Sequence, residues 1–131
     1  MASIFTRIIR REIPAHIVAE DEQCIAFLDI NPLVLGHTLV VPKKEVDYIF
    51  ELDDATLSAL HVFAKKVALA IEKVVPCERI GVSVVGLEVP HTHVHLIPMN
   101  SADDLNFTRP KLKPGQDELK AIADQIRGAL K

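Results

Sequence analysis

Three of the six histidines in this 131-residue chain fall within five positions, His91-Thr92-His93-Val94-His95, followed by Leu96-Ile97-Pro98. In an extended strand successive side chains point to opposite faces, so His91, His93 and His95 would share one face and Thr92, Val94 and Leu96 the other. The second set is apolar or β-branched and suits a face packed on a core. Packing gives no reason for three imidazoles on the remaining face. Chemistry does.

Four readings compete. Solvated surface histidines sit badly with Val94, Leu96 and Ile97, which mark a central strand. A purification tag is excluded by the internal position and by Thr92 and Val94. A metal site is more serious, because imidazole is a common zinc ligand. Neighbours two residues apart on a strand are separated by about 6.6 Å. Two could share an ion, but three could not without a bend, and a fourth ligand such as His37 would be needed. The fourth reading, which we prefer, is nucleophilic catalysis at phosphorus. A neutral imidazole is a good nucleophile near pH 7, provided its second nitrogen is held as N–H by an acceptor. Flanking histidines can donate to phosphate oxygens and assist the leaving group. One nucleophile between two helpers makes His93 the attacking residue.

The elements that must position this run can be read from periodicity. Ile4, Phe5, Ile8 and Ile9 predict a short N-terminal helix ending near Glu12, before Ile13-Pro14. His16 to Ala19 and Cys24 to Leu28 read as strands around the turn Glu20-Asp21-Glu22, and His37 to Val41 as a central strand stopped by Pro42. Asp53 or Asp54 caps a long helix with the stripe Leu57, Leu60, Ala64, Val67, Ile71 and Val74, ended by Pro76. Ile80 to Val85 and His91 to Ile97 are two further strands. A C-terminal helix carries Leu119, Ile122, Ile126 and Leu130 on one face. Strand pairs interrupted by one long helix indicate an α+β fold with a mainly antiparallel sheet. One domain is expected over 1–131, with a core at 3–98 and a helical extension at 114–131.

Composition narrows the class. A formal net charge of −3, 49% hydrophobic and 25% charged residues describe an ordinary globular chain. Neither a nucleic-acid binder nor a membrane-surface protein is indicated, and no run is long enough to span a bilayer. Cys24 and Cys77 form no C-x-x-C pair, and residues 1–11 contain no apolar signal region, so a cytoplasmic protein with reduced thiols is expected. Cys24, inside an apolar strand, reads as an inert core thiol.

His91 to Ile97 resembles the His-φ-His-φ-His-φ-φ signature (φ, apolar) of the histidine triad, or HIT, superfamily of nucleotide hydrolases and transferases, with Thr92 as the one polar departure. Ser3-Ile4-Phe5 through Glu12-Ile13-Pro14, Ala26 to Pro32, Gly36 to Lys43, and Gly86-Leu87-Glu88-Val89-Pro90 resemble further landmarks of the family in its order. The resemblance implies a sheet of about five antiparallel strands under one long helix, with short N- and C-terminal helices, and a homodimer whose sheets join across the two-fold. It implies that His93 attacks the α-phosphorus of a nucleoside phosphoramidate, ester or anhydride. His91 would orient His93 through its backbone carbonyl, His95 would contact the phosphate, and His37 would sit against the triad. Asp29 would accept from both ribose hydroxyls, a role that competes with capping the turn at Asn31-Pro32. Ile4, Phe5, Ile8, Phe27 and Ile30 would form a purine slot, although each reads equally as core by periodicity.

Two departures from the family pattern bear on activity. Relatives carry an amide side chain about a dozen residues before the triad and a glutamine after the glycine that matches Gly86. Here Leu87 follows Gly86, and no Asn or Gln lies between Pro76 and Pro90. Loss of one oxyanion-type donor costs roughly 10² or more in rate, with Ser83 a candidate substitute if it faces the site. One branch of the family also binds structural zinc through a Cys-x-x-Cys near the N-terminus. Those positions are Ser3 and Thr6 here, poor zinc ligands, so no metal and no cofactor are expected. Two rival functions stay open: a nucleotide-binding regulatory or scaffold protein with weak turnover, and a metal-dependent hydrolase using His91, His93, His95 and His37.

Overall fold

The computed structural model describes residues 2–130, so Met1 and Lys131, the ends of the expected 1–131 domain, lie outside the described residues. Helix α1 spans Ile4–Ile9, capped by Ser3, whose hydroxyl accepts the Thr6 N–H at 3.0 Å. It stops three residues short of the expected Glu12. Arg11 adopts φ +63, which turns the chain out of the helix. The Arg11 N–H then donates to Ile8 O (3.0 Å) and the Glu12 N–H to Arg7 O (2.8 Å), closing the helix end.

Five strands follow: β1 Ile17–Glu20, β2 Cys24–Leu28, β3 Thr38–Pro42, β4 Arg79–Ser83 and β5 Val94–Met99. They form one sheet of order β1-β2-β3-β5-β4 in which every neighbouring pair is antiparallel. β2 falls on the expected residues, while β1 and β3 are displaced by one residue and β4 is shorter than the expected Ile80 to Val85. The Asp21 carboxylate makes the β1–β2 turn by accepting the Gln23 and Cys24 N–H groups, both at 2.8 Å.

The larger correction is at the histidine run. β5 starts at Val94, so His91 and His93 precede the strand, and the simple alternation of three ring faces does not apply to them. The cause lies in where their hydrogen bonds go. Thr92 sends both its N–H and its hydroxyl to Val46 O, each at 2.7 Å, and His91 Nε2 reaches Pro42 O at 2.7 Å. Residues 91 and 92 are therefore bound to the last residue of β3 and to the segment after it rather than entered in a ladder. The polar Thr92 makes that attachment.

Helix α2 spans Asp54–Val74, with Asp53 accepting the Thr56 N–H at 2.7 Å. Leu60, Phe63, Ala64, Val67, Ala70 and Ile71 are buried against one face of the sheet. Leu57 and Val74, at the edges of the expected stripe, are only partly buried. α3 spans Gln116–Ala129 and adds Leu119, Ala123 and Ile126 to the same core. Its expected partners Ile122 and Leu130 are partly buried. The opposite face carries a smaller cluster of Phe5, Ile8, Ile25, Phe27, Leu39 and Val41, covered by α1. Phe27 pairs with Leu39 and Leu39 with His95, so His95 emerges on this second face. Val94 and Leu96 point into the larger core as expected.

Candidate active site

His93 is held by its own neighbour. Its Nδ1 lies 2.7 Å from His91 O, an atom that can only accept, so Nδ1 carries the proton and Nε2 of the neutral ring keeps its lone pair. The ring lies 4.9 Å from Phe5, 4.9 Å from His95, and is 7% exposed. His95 stands in turn 4.7 Å from Phe107. Phe5, His93, His95 and Phe107 thus form a row of edge-on rings.

The tautomer of His95 follows from a second chain of bonds. The Leu33 N–H donates to His37 Nδ1 at 3.1 Å, so His37 carries its proton on Nε2. That nitrogen lies 2.9 Å from His95 Nδ1 and donates to it. His95 must then hold its own proton on Nε2. Burial keeps both rings neutral: it pushes His37 down to about 3 and His95 down to about 4, with repulsion from neighbouring histidines and Lys111 adding to it. A lone pair on His93 and an N–H on the adjacent His95 are the outcome.

His91 plays a different part from the one its spacing suggests. It is fully buried, and both ring nitrogens are engaged. Nε2–H donates to Pro42 O, and Nδ1 accepts from the Ser3 hydroxyl at 2.7 Å. Glu45 accepts the Ser3 N–H at 2.8 Å and the Thr6 hydroxyl, so α1 is tied to the same segment. Burial lowers the His91 pKa against the opposing effect of the Pro42 carbonyl and Glu45. The ring has no nitrogen left for a phosphate; the residue presents its carbonyl to His93.

The remaining expected residues divide by burial. Phe5, Ile8 and Phe27 share the second-face cluster, with Phe5 and Phe27 rings 5.4 Å apart. Ile4 and Ile30 lie outside it, 49% and 53% exposed, apolar side chains left open to contact something else. Asp29 Oδ1 caps the turn by accepting the Asn31 N–H at 2.9 Å. Its Oδ2 lies 3.8 Å from His37 Nε2, beyond hydrogen-bond distance. One oxygen thus serves the turn and the other faces the site. Burial raises the Asp29 pKa, countered by the Asn31 bond and by the charge of Lys111. Ser83 pairs in register with His95, which puts its side chain on the site face one strand away.

Asp29, His37 and His95 place three ligand-type atoms within 4.8 Å of one another. A metal there would need the Nε2 lone pair of His37, but the Leu33 amide occupies the opposite nitrogen and leaves Nε2 protonated. Ser3 and Thr6 are likewise committed to His91 and Glu45. As held, these groups are donors and acceptors for one another.

Sequence reasoning missed Phe107, Lys111 and the Leu33 amide. Phe107 is the only aromatic residue after Phe63, in a polar stretch, and that isolation was the available signal. Lys111 donates to Phe107 O at 2.7 Å, and its charge reaches Asp29, His37 and His95. A backbone amide leaves no trace in residue types.

A five-stranded antiparallel sheet bearing hydrogen-bonded histidines beside an apolar cluster is the arrangement of a histidine-triad fold. The chain belongs to the HIT family: the model described as "HIT domain" matches residues 10–102. It is 33% identical to adenosine 5'-monophosphoramidase hnt1 of Schizosaccharomyces pombe over 134 aligned positions, covering 100% of both chains. It is also 36% identical to an uncharacterized HIT-like protein of Borreliella burgdorferi, covering 94% of each. Among solved structures, a HIT-like protein involved in cell-cycle regulation from Bartonella henselae superimposes with a TM-score of 0.84 at 34% identity, covering 98% of this chain and 96% of that one. A zinc-bound histidine triad family protein from Mycobacterium smegmatis gives 0.83 at 25% identity, covering 99% and 94%.

Proposed function

We propose that the chain is a nucleoside phosphoramidate or nucleotide hydrolase acting through a histidine–nucleotidyl intermediate. The observation that carries the reading is the tautomer pair: a lone pair on His93 Nε2 beside an N–H on His95 Nε2. His93 attacks the α-phosphorus, a P–N or P–O bond to the leaving group breaks, and water then cleaves the N–P bond to release the nucleoside monophosphate. His95 donates to a non-bridging oxygen, His37 holds His95, and the His91 carbonyl holds His93. Asp29 Oδ2 accepts from the ribose hydroxyls, while Ile4, Phe5, Ile8, Phe27 and Ile30 take the purine. Ser83 stands where a phosphate donor is needed. The reaction so written needs no metal or cofactor. The whole-length relationship to the hnt1 phosphoramidase supports this substrate class.

A nucleotide-binding protein with slow turnover is the second reading, favoured by Leu87, 87% exposed where the family resemblance implies an amide donor. We place the protein in the cytoplasm, as one domain in which the C-terminal extension packs on α2 and β1. Among the described residues, no helix is long and apolar enough to cross a membrane. A homodimer is proposed through β4, an edge strand that carries the exposed Val82 and is followed by the exposed Val85 and Leu87. Light scattering at micromolar concentration should give twice 14.5 kDa; a monomer alone would count against it.

The decisive experiment supplies adenosine 5'-phosphoramidate and looks by mass spectrometry for a nucleotidyl adduct, avoiding acid. The adduct should map to His93, and His93→Asn should lose turnover while still binding nucleotide. Full activity in that variant, or an adduct on His91 or His95, would overturn the mechanism. Binding without any turnover in the unmodified protein would favour the second reading.

A further inference from the structure

We infer that residues 106–112, after the triad strand, form a strap that sets the tautomer of His95, with Arg109 and the Leu112 amide as its positioning groups. The inference rests on the phosphate-facing role given to His95 above. Pro32 C=O and Leu33 N–H are two ends of one planar peptide unit. The N–H end donates to His37 Nδ1 at 3.1 Å, and the C=O end accepts the Leu112 N–H at 2.9 Å. The next carbonyl, Leu33 O, accepts from Arg109 Nη2 at 3.0 Å. Arg109 Nη1 is anchored by Asp103 (3.1 Å) and Asp104 (3.2 Å), in the 3-10 turn Ala102–Leu105 just after β5. Two consecutive peptides of the β2–β3 loop are thus held from the far side of the site.

The orientation of that one peptide decides a sign. With its N–H toward His37, protons must sit on Nε2 of His37 and then on Nε2 of His95. If the peptide turned over, its carbonyl would face His37 Nδ1 and draw the proton there. His37 Nε2 would become an acceptor, His95 Nδ1 would have to take the proton, and His95 would present a lone pair to an anionic phosphate. A donor would become a repulsive contact. Phe107 belongs to the same strap, its ring 4.7 Å from His95 and 6.3 Å from His37, and it covers the pair from water. The strap is therefore a wall of the site and the lock on its donor.

Nitrogen-15 NMR of the histidine rings reads the tautomer independently of activity. The unmodified protein should show His95 and His37 each protonated on Nε2. In Arg109→Ala, and in Leu112→Pro, which removes the amide at an exposed side chain, the two rings should become mixed tautomers. Turnover of adenosine 5'-phosphoramidate should fall on the order of 10-fold to 10²-fold while nucleotide affinity changes little. Arg109→Lys, which keeps one donor for Leu33 O, should recover part of both signals. Unchanged tautomers in folded Arg109→Ala and Leu112→Pro would overturn the strap, as would an Nδ1 proton on His95 in the unmodified protein. Mixed tautomers with unchanged turnover would uphold the strap and instead remove the donor role assigned to His95.

Discussion

The histidines of the site differ in task because they differ in how many ring nitrogens their partners consume: His93 and His95 keep one for the site, His91 and His37 keep none. His93 spends Nδ1 on a carbonyl, His95 spends Nδ1 on His37, and His91 spends both nitrogens. His91→Ala should therefore act through lost packing and a shifted backbone, since any residue retains the carbonyl. Asp29 offers the sharper residue-scale test. With Oδ1 held by Asn31, only Oδ2 and the outer lone pairs remain for a ribose, so a 2'-deoxy substrate leaves an acceptor unpaired. The protein should prefer ribonucleotides by a kcat/KM ratio on the order of 10-fold or more. Asp29→Ala should erase the preference, and equal discrimination by both proteins would refute the assignment.

The elements position these side chains through short, tightly determined connections. Gly36 starts the return from the β2–β3 loop into His37, at φ +96, where side chains other than hydrogen are strained. A Cβ there would meet Val75 Cγ2 at 3.0 Å and Pro98 Cγ at 3.1 Å, so strain and crowding coincide. Gly36→Ala should destabilise the protein by about 1–3 kcal/mol. Urea denaturation measures it, and a change below about 0.5 kcal/mol would show that the loop relaxes freely. The N-terminal helix has a comparable role on the other flank. Ser3 is both the cap of α1 and the donor to His91, which makes six helical residues part of the site's support.

For the molecule as a whole, burying neutral histidines links stability to pH. The folded pKa values of about 3 for His37 and about 4 for His95 lie below the ordinary histidine value of 6.5. Below pH 6.5 the unfolded chain therefore binds protons that the folded chain refuses, and stability falls as pH drops toward 4. The limiting slope is about 1.4 kcal/mol per pH unit for each histidine. Asp29, with a raised pKa, works in the opposite direction at the acid end. Urea midpoints measured from pH 7.5 to 5 should decline, and His37→Gln should flatten part of that decline. A midpoint that stays constant across this range would contradict the buried neutral pair.

How much of this was legible beforehand depended on the range of the interaction. The β2 strand, a cap of α2 at Asp53 or Asp54 and the apolar stripe of α2 follow from periodicity and local capping, which act between residues a few positions apart. The concentration of chemistry at His91, His93 and His95 was equally plain, because residue type and spacing are all that such a signal requires. Tertiary structure decided what those residues do. It withdrew residues 91–93 from the strand, since Pro42 and Val46, more than forty residues away, take the hydrogen bonds of His91 and Thr92. It brought Phe107 against His95 and made the Leu33 amide the arbiter of two proton positions. A tautomer is chosen by the direction of a hydrogen bond, and that direction exists only once distant backbone groups have been placed.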